Sequence, residues 1–325
     1  MFAYKRISQT FRSSHQIPFD DSSKIIIMSD CHRGDGSWAD NFAKNQNLFF
    51  AALDYYNQQK YTYIELGDGD ELWENKKLSD IIEIHGNAFW IMSRFYRDNR
   101  LHLLFGNHDM VKKNFRLVEN DYNNYYDARQ KKYTPLFPGI KIHEGIILRH
   151  TSTGKKIFLL HGHQADFLND TLWRLSRFLV RYFWKPLESV GVKDPTSAAK
   201  NYKRKKQVEK KLTKWSVKEE QMLIAGHTHR PVLPDLGEPL YFNDGSCVHP
   251  RCITGIEIVR GEILLVKWSY KTKSDGTVYV GRQVLAGPNR LEDYFRPAED
   301  GELYRYLGSA NTAMPTESKH IFCKR

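Results

Sequence analysis

Cysteine is scarce. Cys31, Cys247, Cys252 and Cys323 are the four among 325 residues, none in CxxC spacing. That usage suits a reducing compartment, or a fold that needs no disulfide framework. Long apolar runs are missing too. Stretches such as IIIM (25–28) and IFLL (157–160) fall far short of the roughly 20 residues that span a bilayer. The opening MFAYKRISQTFRSS is positively charged but has no apolar core of a signal peptide. There is no internal repeat, and no RRM, KH or zinc-finger signature. The expectation is a soluble cytoplasmic protein with no transmembrane segment, attached to a membrane at most peripherally.

What is present can build a substantial core: 41% of residues are hydrophobic and 13% aromatic. The net charge is +11, and it is concentrated. Between Thr171 and Trp215 there are 13 Lys/Arg against 3 Asp/Glu, 13 − 3 = +10. A local basic patch of this kind points to an anionic partner such as a lipid headgroup, nucleotide or nucleic acid, or else to a solvated helical face.

Apolar strands alternate with helical patterns through the first half. KIIIMSD (24–30), YTYIELGD (61–68) and LHLLFGN (101–107) read as strands. Residues 42–58 and 78–96 read as helices, the second with Ser79 as its cap. GIILRH (145–150) and KKIFLLHGH (155–163) read as a hairpin, and QMLIAGHTH (221–229) as a further strand. Strand-rich sequence with glycine turns follows. This order predicts a layered α/β architecture with two packed sheets. Residues 1–22 read as a loose arm, 23–296 as the main domain with a basic helical insertion over 167–218, and 297–325 as a polar tail.

Five strands end in polar clusters: SDCH (29–32), LGDGDE (66–71), FGNHD (105–109), LHGH (160–163) and AGHTH (225–229). Loops at strand C-termini are where α/β folds assemble sites. Asp30, His32, Asp68, Asn107, His161, His227 and His229 offer oxygen and imidazole donors, a mixture that suits Mn, Fe or Zn. One tetrahedral ion cannot use them all, but two ions sharing a carboxylate can. Paired metals roughly 3.5–4 Å apart are a standard device for in-line attack at phosphorus. His85, His102, His143 and His150 read as surface or satisfied polar residues, and Cys31 as core.

The ordered set D-x-H, G-D, G-N-H-D, H and G-H-x-H resembles the calcineurin-like metallophosphoesterases over roughly residues 24–245. The resemblance implies a metallophosphoesterase sandwich of two mixed β-sheets flanked by helices, carrying a helical basic insertion. It implies that Asp30, His32 and His229 hold one metal, that Asn107, His161 and His227 hold the other, and that Asp68 bridges them. Two divalent ions are then the cofactor, with Mn favoured over Fe or Zn. A hydroxide bridging the ions would attack a phosphate ester or pyrophosphate. His108 would stand over the phosphoryl group as a catalytic residue, oriented by Glu71, with Asp109 as support. Arg33 and His163 are candidate substrate-binding residues, with a salt bridge as the alternative for Arg33.

Within that superfamily, GDGDELW (67–73) is similar in style to the UDP-2,3-diacylglucosamine diphosphatase branch, whose best-known members have arginine where this chain has His108 and aspartate where it has His163. The implied partner is a phosphorylated small molecule or a nucleotide- or lipid-linked substrate. A serine/threonine phosphoprotein phosphatase is one alternative. A nucleic-acid-binding protein or nuclease is another. In TLWRLSRFLVRYFWKPL (171–187), Arg174, Arg177, Arg181 and Lys185 form a helical stripe opposite Leu172, Leu175, Leu179 and Phe183. Such a helix can lie in an anionic membrane surface, cover an acyl chain, or cap the core. A second basic stretch over 200–215 is suited to phosphates.

Overall fold

The run IIIM is apolar throughout because both faces of its strand are covered. Ile25 and Ile27 enter one core while Ile26 and Met28 enter another. The computed structural model describes residues 2–123, 125–127, 130–184 and 201–295. Its strands are β1 (His15–Phe19), β2 (Lys24–Met28), β3 (Thr62–Leu66), β4 (Leu101–Leu104), β5 (Tyr125–Asp127), β6 (Lys132–Thr134), β7 (Ile142–His143), β8 (Gly145–His150), β9 (Lys156–Leu160), β10 (Met222–Ala225), β11 (Tyr241–Asn243), β12 (Cys252–Val259), β13 (Glu262–Thr272) and β14 (Val278–Arg290).

Two mixed sheets result, ordered β1-β8-β9-β10-β11 and β14-β13-β12-β2-β3-β4-β7, with β5 and β6 forming a separate small ribbon. Ile25, Ile27, Ile64, Leu66 and Leu104 of the larger sheet pack with Ile146, Leu148, Ile157, Leu159 and Ile224 of the smaller one. The outer face of the larger sheet is covered by helices Gln46–Gln58, Leu78–Ile84 and Gly86–Arg97. Helices Phe2–Ser13 and Tyr202–Lys218 cover the smaller sheet, through Ile7, Val208, Leu212 and Trp215. The expected layered α/β architecture is present. β2, β3 and β4 run parallel, as do β9 and β10, so each set delivers its C-terminal ends to one edge of its sheet.

Several expectations need correction. The stretch 1–22 is not a loose arm. It contains the Phe2–Ser13 helix, whose Ile7 is fully buried, and β1, which extends the smaller sheet by parallel pairing with β8. Its alternating pattern is short, so the sequence hides its burial. The 78–96 helix is two helices, broken at His85. Buried His85 bonds to Asp40 at 2.7 Å, and the first helix is capped at Lys77 rather than Ser79. In the insertion, helix Phe167–Asp170 precedes helix Trp173–Leu179, which runs into a π-turn at Val180–Trp184. Lys185 and the expected tail 297–325 lie outside the described residues. Among the described residues no helix is long and apolar enough to cross a membrane.

Candidate metal centre

The strand-end loops hold their polar residues in costly backbone conformations. Asp30, His32, Asp68, His227 and His229 have φ of 51°, 47°, 50°, 66° and 52°. Non-glycine residues seldom adopt the left-handed region, and such strain clusters where a site over-determines it. The glycines between them serve close approach. A Cβ on Gly106 would sit 2.1 Å from Asp68 Oδ1, and one on Gly226 would sit 2.7 Å from Asp30 Oδ2.

Two donor groups form. Ligand-capable atoms of Asp30, His32 and His229 all lie within 4.8 Å of one another, and so do those of Asp68, His161 and His227. His229 Nε2 is 2.9 Å from Asp30 Oδ1, and His161 Nε2 is 3.1 Å from Asp68 Oδ2. His32 Nε2 stands 3.7 Å from Asp30 and 3.9 Å from Asp68, between the groups. His161 gives its Nδ1 to the Leu66 carbonyl at 2.9 Å, which turns Nε2 toward the carboxylates. Among the described residues, His32 Nε2, His227 Nε2 and both amide atoms of Asn107 are buried without a hydrogen-bond partner. Buried polar atoms are almost always paired. Donors left open and converging on carboxylates are what a divalent ion requires, so these residues fit a metal pair.

The electrostatics agree. Burial lowers the basicity of His161, but Asp68 and Asp30 outweigh it and hold its pKa at about 9. Burial is likewise overcome at Asp30, which His229 and His161 keep well below the usual carboxylate range. Asp30 Oδ2 accepts from Ser29 Oγ at 2.5 Å and from the His227 amide at 2.9 Å. Ser29 Oγ also lies 2.8 Å from Asp244 Oδ1. Ser29 has one hydroxyl proton for the two carboxylates, and burial together with the charge of Asp30 pushes the Asp244 pKa well up.

Glu71 links the donor groups to His108. Its Oε1 lies 2.8 Å from His108 Nδ1 and its Oε2 2.8 Å from His32 Nδ1. Trp73 stacks on the His108 ring, centroids 4.2 Å apart at 22°. The His108 side chain keeps 21% of its surface exposed while Asp30 and His161 keep none, so the centre opens on the His108 side. Asp109 is a brace: it accepts from the amides of Gly106 at 2.7 Å and Gly69 at 3.2 Å, and from Lys112 Nζ at 2.6 Å. Lys112 lies equally close, 2.6 Å, to Asp70. Arg33 does not face the opening. It is fully buried, pairing with Glu65 and Asp70 at 2.7 Å each. Against burial, Arg33 and Lys112 hold Asp70 at about 2. Arg33 is therefore corrected from a candidate phosphate ligand to part of an interior ion network.

A family model for the calcineurin-like phosphoesterases matches residues 23–231. The chain belongs to this family. No curated protein is similar enough in sequence to count as a match. Among solved structures, Vps29 of Chaetomium thermophilum is similar at 11% identity and a TM-score of 0.36, covering 82% of this chain and 97% of that one.

In this calcineurin-like phosphoesterase the insertion reaches the centre directly. Arg204 of the Tyr202–Lys218 helix bonds Asp166 at 2.8 Å, and Asp166 Oδ2 lies 3.7 Å from His227 Nε2. Arg181 donates to the carbonyls of Leu72, Trp73 and Asn75. It leaves the expected basic stripe to grip the loop after β3. His163 is fully buried behind His161, so it is corrected from a substrate contact to an interior residue. It groups with Glu144 and Asp170, where Arg6 already serves as the cation. Asp166 and Lys112 escaped sequence reasoning, and Arg181 was read only as part of the basic stripe. Lys112 left a signal in its i,i+3 spacing from Asp109.

Proposed function

We propose that the protein is a dimetal phosphohydrolase acting on a phosphate ester or pyrophosphate bond. Asp30, His32 and His229 would hold one ion, Asn107, His161 and His227 the other, with Asp68 between them and Mn as the favoured metal. The observation that carries the reading is the set of buried donors without hydrogen bonds beside strained strand ends. Bound there, two divalent ions would supply Lewis-acid activation of phosphoryl group and water. The chain's own contribution centres on His108. With Nδ1 engaged by Glu71 at 2.8 Å, its Nε2 is the nitrogen able to deliver a proton to the leaving oxygen. Trp73 fixes the plane of the ring. The test is hydrolysis of p-nitrophenyl phosphate with added Mn. His108→Ala should lose roughly 10²–10⁴-fold in kcat, and Asp68→Asn should lose metal and activity together. Full activity in both variants sinks these roles.

A narrower reading is a lipid-linked substrate met at an anionic membrane surface, as in the UDP-2,3-diacylglucosamine diphosphatases. It is favoured by one observation. Phe167, Leu168, Leu172, Leu175, Phe178 and Tyr182 of the insertion are all exposed, while Arg174 and Arg177 lie over the Trp173 ring. An apolar face with adjacent arginines suits the headgroup boundary. Wild type should sediment with phosphatidylglycerol vesicles and Leu175→Ser/Phe178→Ser should not. Equal sedimentation of the two leaves the face without this role.

A further inference from the structure

Two histidines of the centre engage Nδ1 with a partner and turn Nε2 inward. His161 gives Nδ1 to the Leu66 carbonyl, and His32 places Nδ1 2.8 Å from Glu71. His227 differs. Its Nε2 is buried without a hydrogen-bond partner among the described residues, and Asp166 Oδ2 stands 3.7 Å from it. Asp166 belongs to neither donor group of the centre. It meets the imidazole from outside the donor cluster.

The chain builds this approach from two adjacent strand ends. β9 and β10 are parallel neighbours, so the loops that follow them lie side by side. The loop after β9 turns at Gly162, with φ of 114°, where a Cβ would sit 3.3 Å from the His227 Cβ. The short turn His163–Ala165 then brings Asp166 back to His227. Asp166 is only 5% exposed, and its carboxylate is fixed. Arg204 donates from Nε to Oδ2 at 2.8 Å and from Nη2 to Oδ1 at 2.5 Å, and Asn169 Nδ2 donates to Oδ2 at 3.1 Å. Lys211, two turns further along the Arg204 helix, donates to the Ala165 carbonyl at 3.0 Å. A carboxylate gripped by both prongs of a guanidinium stays ionised and holds its plane. Its two oxygens still have room for one more donor.

We propose that Asp166 is the positioning residue of His227: it accepts the Nε2 proton, so that Nδ1 is the nitrogen His227 presents to its metal ion. This is the reverse of His161 and His32. Closing 3.7 Å to a hydrogen bond takes a ring shift of roughly 0.8 Å. A ligating histidine nearly always gives its other N–H to such an acceptor, which fixes the tautomer and raises the basicity of the ligating nitrogen. Arg204 belongs to the insertion, so the insertion sets how tightly the His227 ion is held and leaves the Asp30–His229 ion alone. The assignment rests on the dimetal reading, because it takes His227 as a ligand.

The experiment pairs calorimetric titration of Mn into the metal-free full chain with ¹⁵N spectra of the histidines in Zn-loaded protein. Wild type should bind two Mn ions. Asp166→Asn should weaken one of them by about 10–100-fold and leave the other unchanged. In the spectra His227, identified by its loss in His227→Gln, should carry its proton on Nε2, and His161 should carry it on Nδ1. If Asp166→Asn fails to fold, Asp166→Ala/Arg204→Ala removes both buried charges and takes its place. The control Lys203→Ala, an exposed lysine of the same helix, should change neither affinity. Equal weakening of both ions marks Asp166 as merely structural and overturns the assignment, as does a His227 proton on Nδ1. If wild type takes a single Mn while His227 binds through Nδ1 with its proton on Nε2, the dimetal reading falls and the role of Asp166 stands.

Discussion

Arg181 donates from Nε to the main-chain carbonyl of Trp73 at 2.8 Å. Through that bond, and those to Leu72 and Asn75, the insertion holds the loop that carries Glu71 and lays Trp73 on His108. Arg181→Ala should lower kcat on p-nitrophenyl phosphate about tenfold, since small misplacements of a reacting group are costly. Lys at this position cannot reach three carbonyls with one fork, so Arg181→Lys should rescue little. Unchanged kcat in both variants would mean that the loop keeps its place unaided.

Glu71 uses both carboxylate oxygens, one on His32 and one on His108. Glutamine retains one acceptor and turns an amide toward the second imidazole. Glu71→Gln should therefore weaken Mn binding and turnover together, by roughly 10–100-fold as for other partners of metal ligands. Parallel Mn titration and kcat measurements check this. Loss of turnover with unaltered Mn affinity would show that His32 does not need Glu71.

Lys112 is buried between Asp70 and Asp109, 2.6 Å from each. Burial lowers its pKa, but Asp109 and Asp70 more than restore it, so it stays charged. Lys112→Met leaves two buried carboxylates short of a partner, at a cost of about 3–5 kcal/mol. Urea unfolding should record that loss, and a midpoint within error of wild type would contradict it.

The five strand-end blocks were legible in the sequence because each joins a short apolar run to donors of one chemical kind. The two-sheet layering was legible for the same reason. What could not be read was whatever depends on distant pairing. Nothing local marks residues 1–22 as holding a helix and an edge strand, because β1 gains its place only from β8. Arg33 sits beside a candidate ligand, yet the loop after β2 turns it to Glu65 of β3. Arg181 looked like one of a stripe until the loop after β3 offered it three carbonyls. Glu71 was legible as the partner of His108, but its second contact with His32 is a product of the fold.

His102 and His143 lie on neighbouring strands, with His15 stacked on His143 at 4.7 Å. Burial lowers both pKa values to about 4 from the ordinary 6.5, and His15 adds to the shift. The unfolded chain thus takes up protons at a pH where the folded one does not. Their contribution is fully present above about pH 6.5 and is lost as pH falls toward about 4. The urea midpoint should drop over that range, and less steeply in His102→Gln/His143→Gln. Equal slopes would exclude these imidazoles as a cause.

A pair of metal ions straddling Asp68 underlies every role proposed for this site. Anomalous diffraction from crystals grown with Mn measures it directly. Two peaks are expected, roughly 3.5–4 Å apart, one beside Asp30, His32 and His229, the other beside Asn107, His161 and His227. A single peak, or peaks away from Asp68, would contradict it.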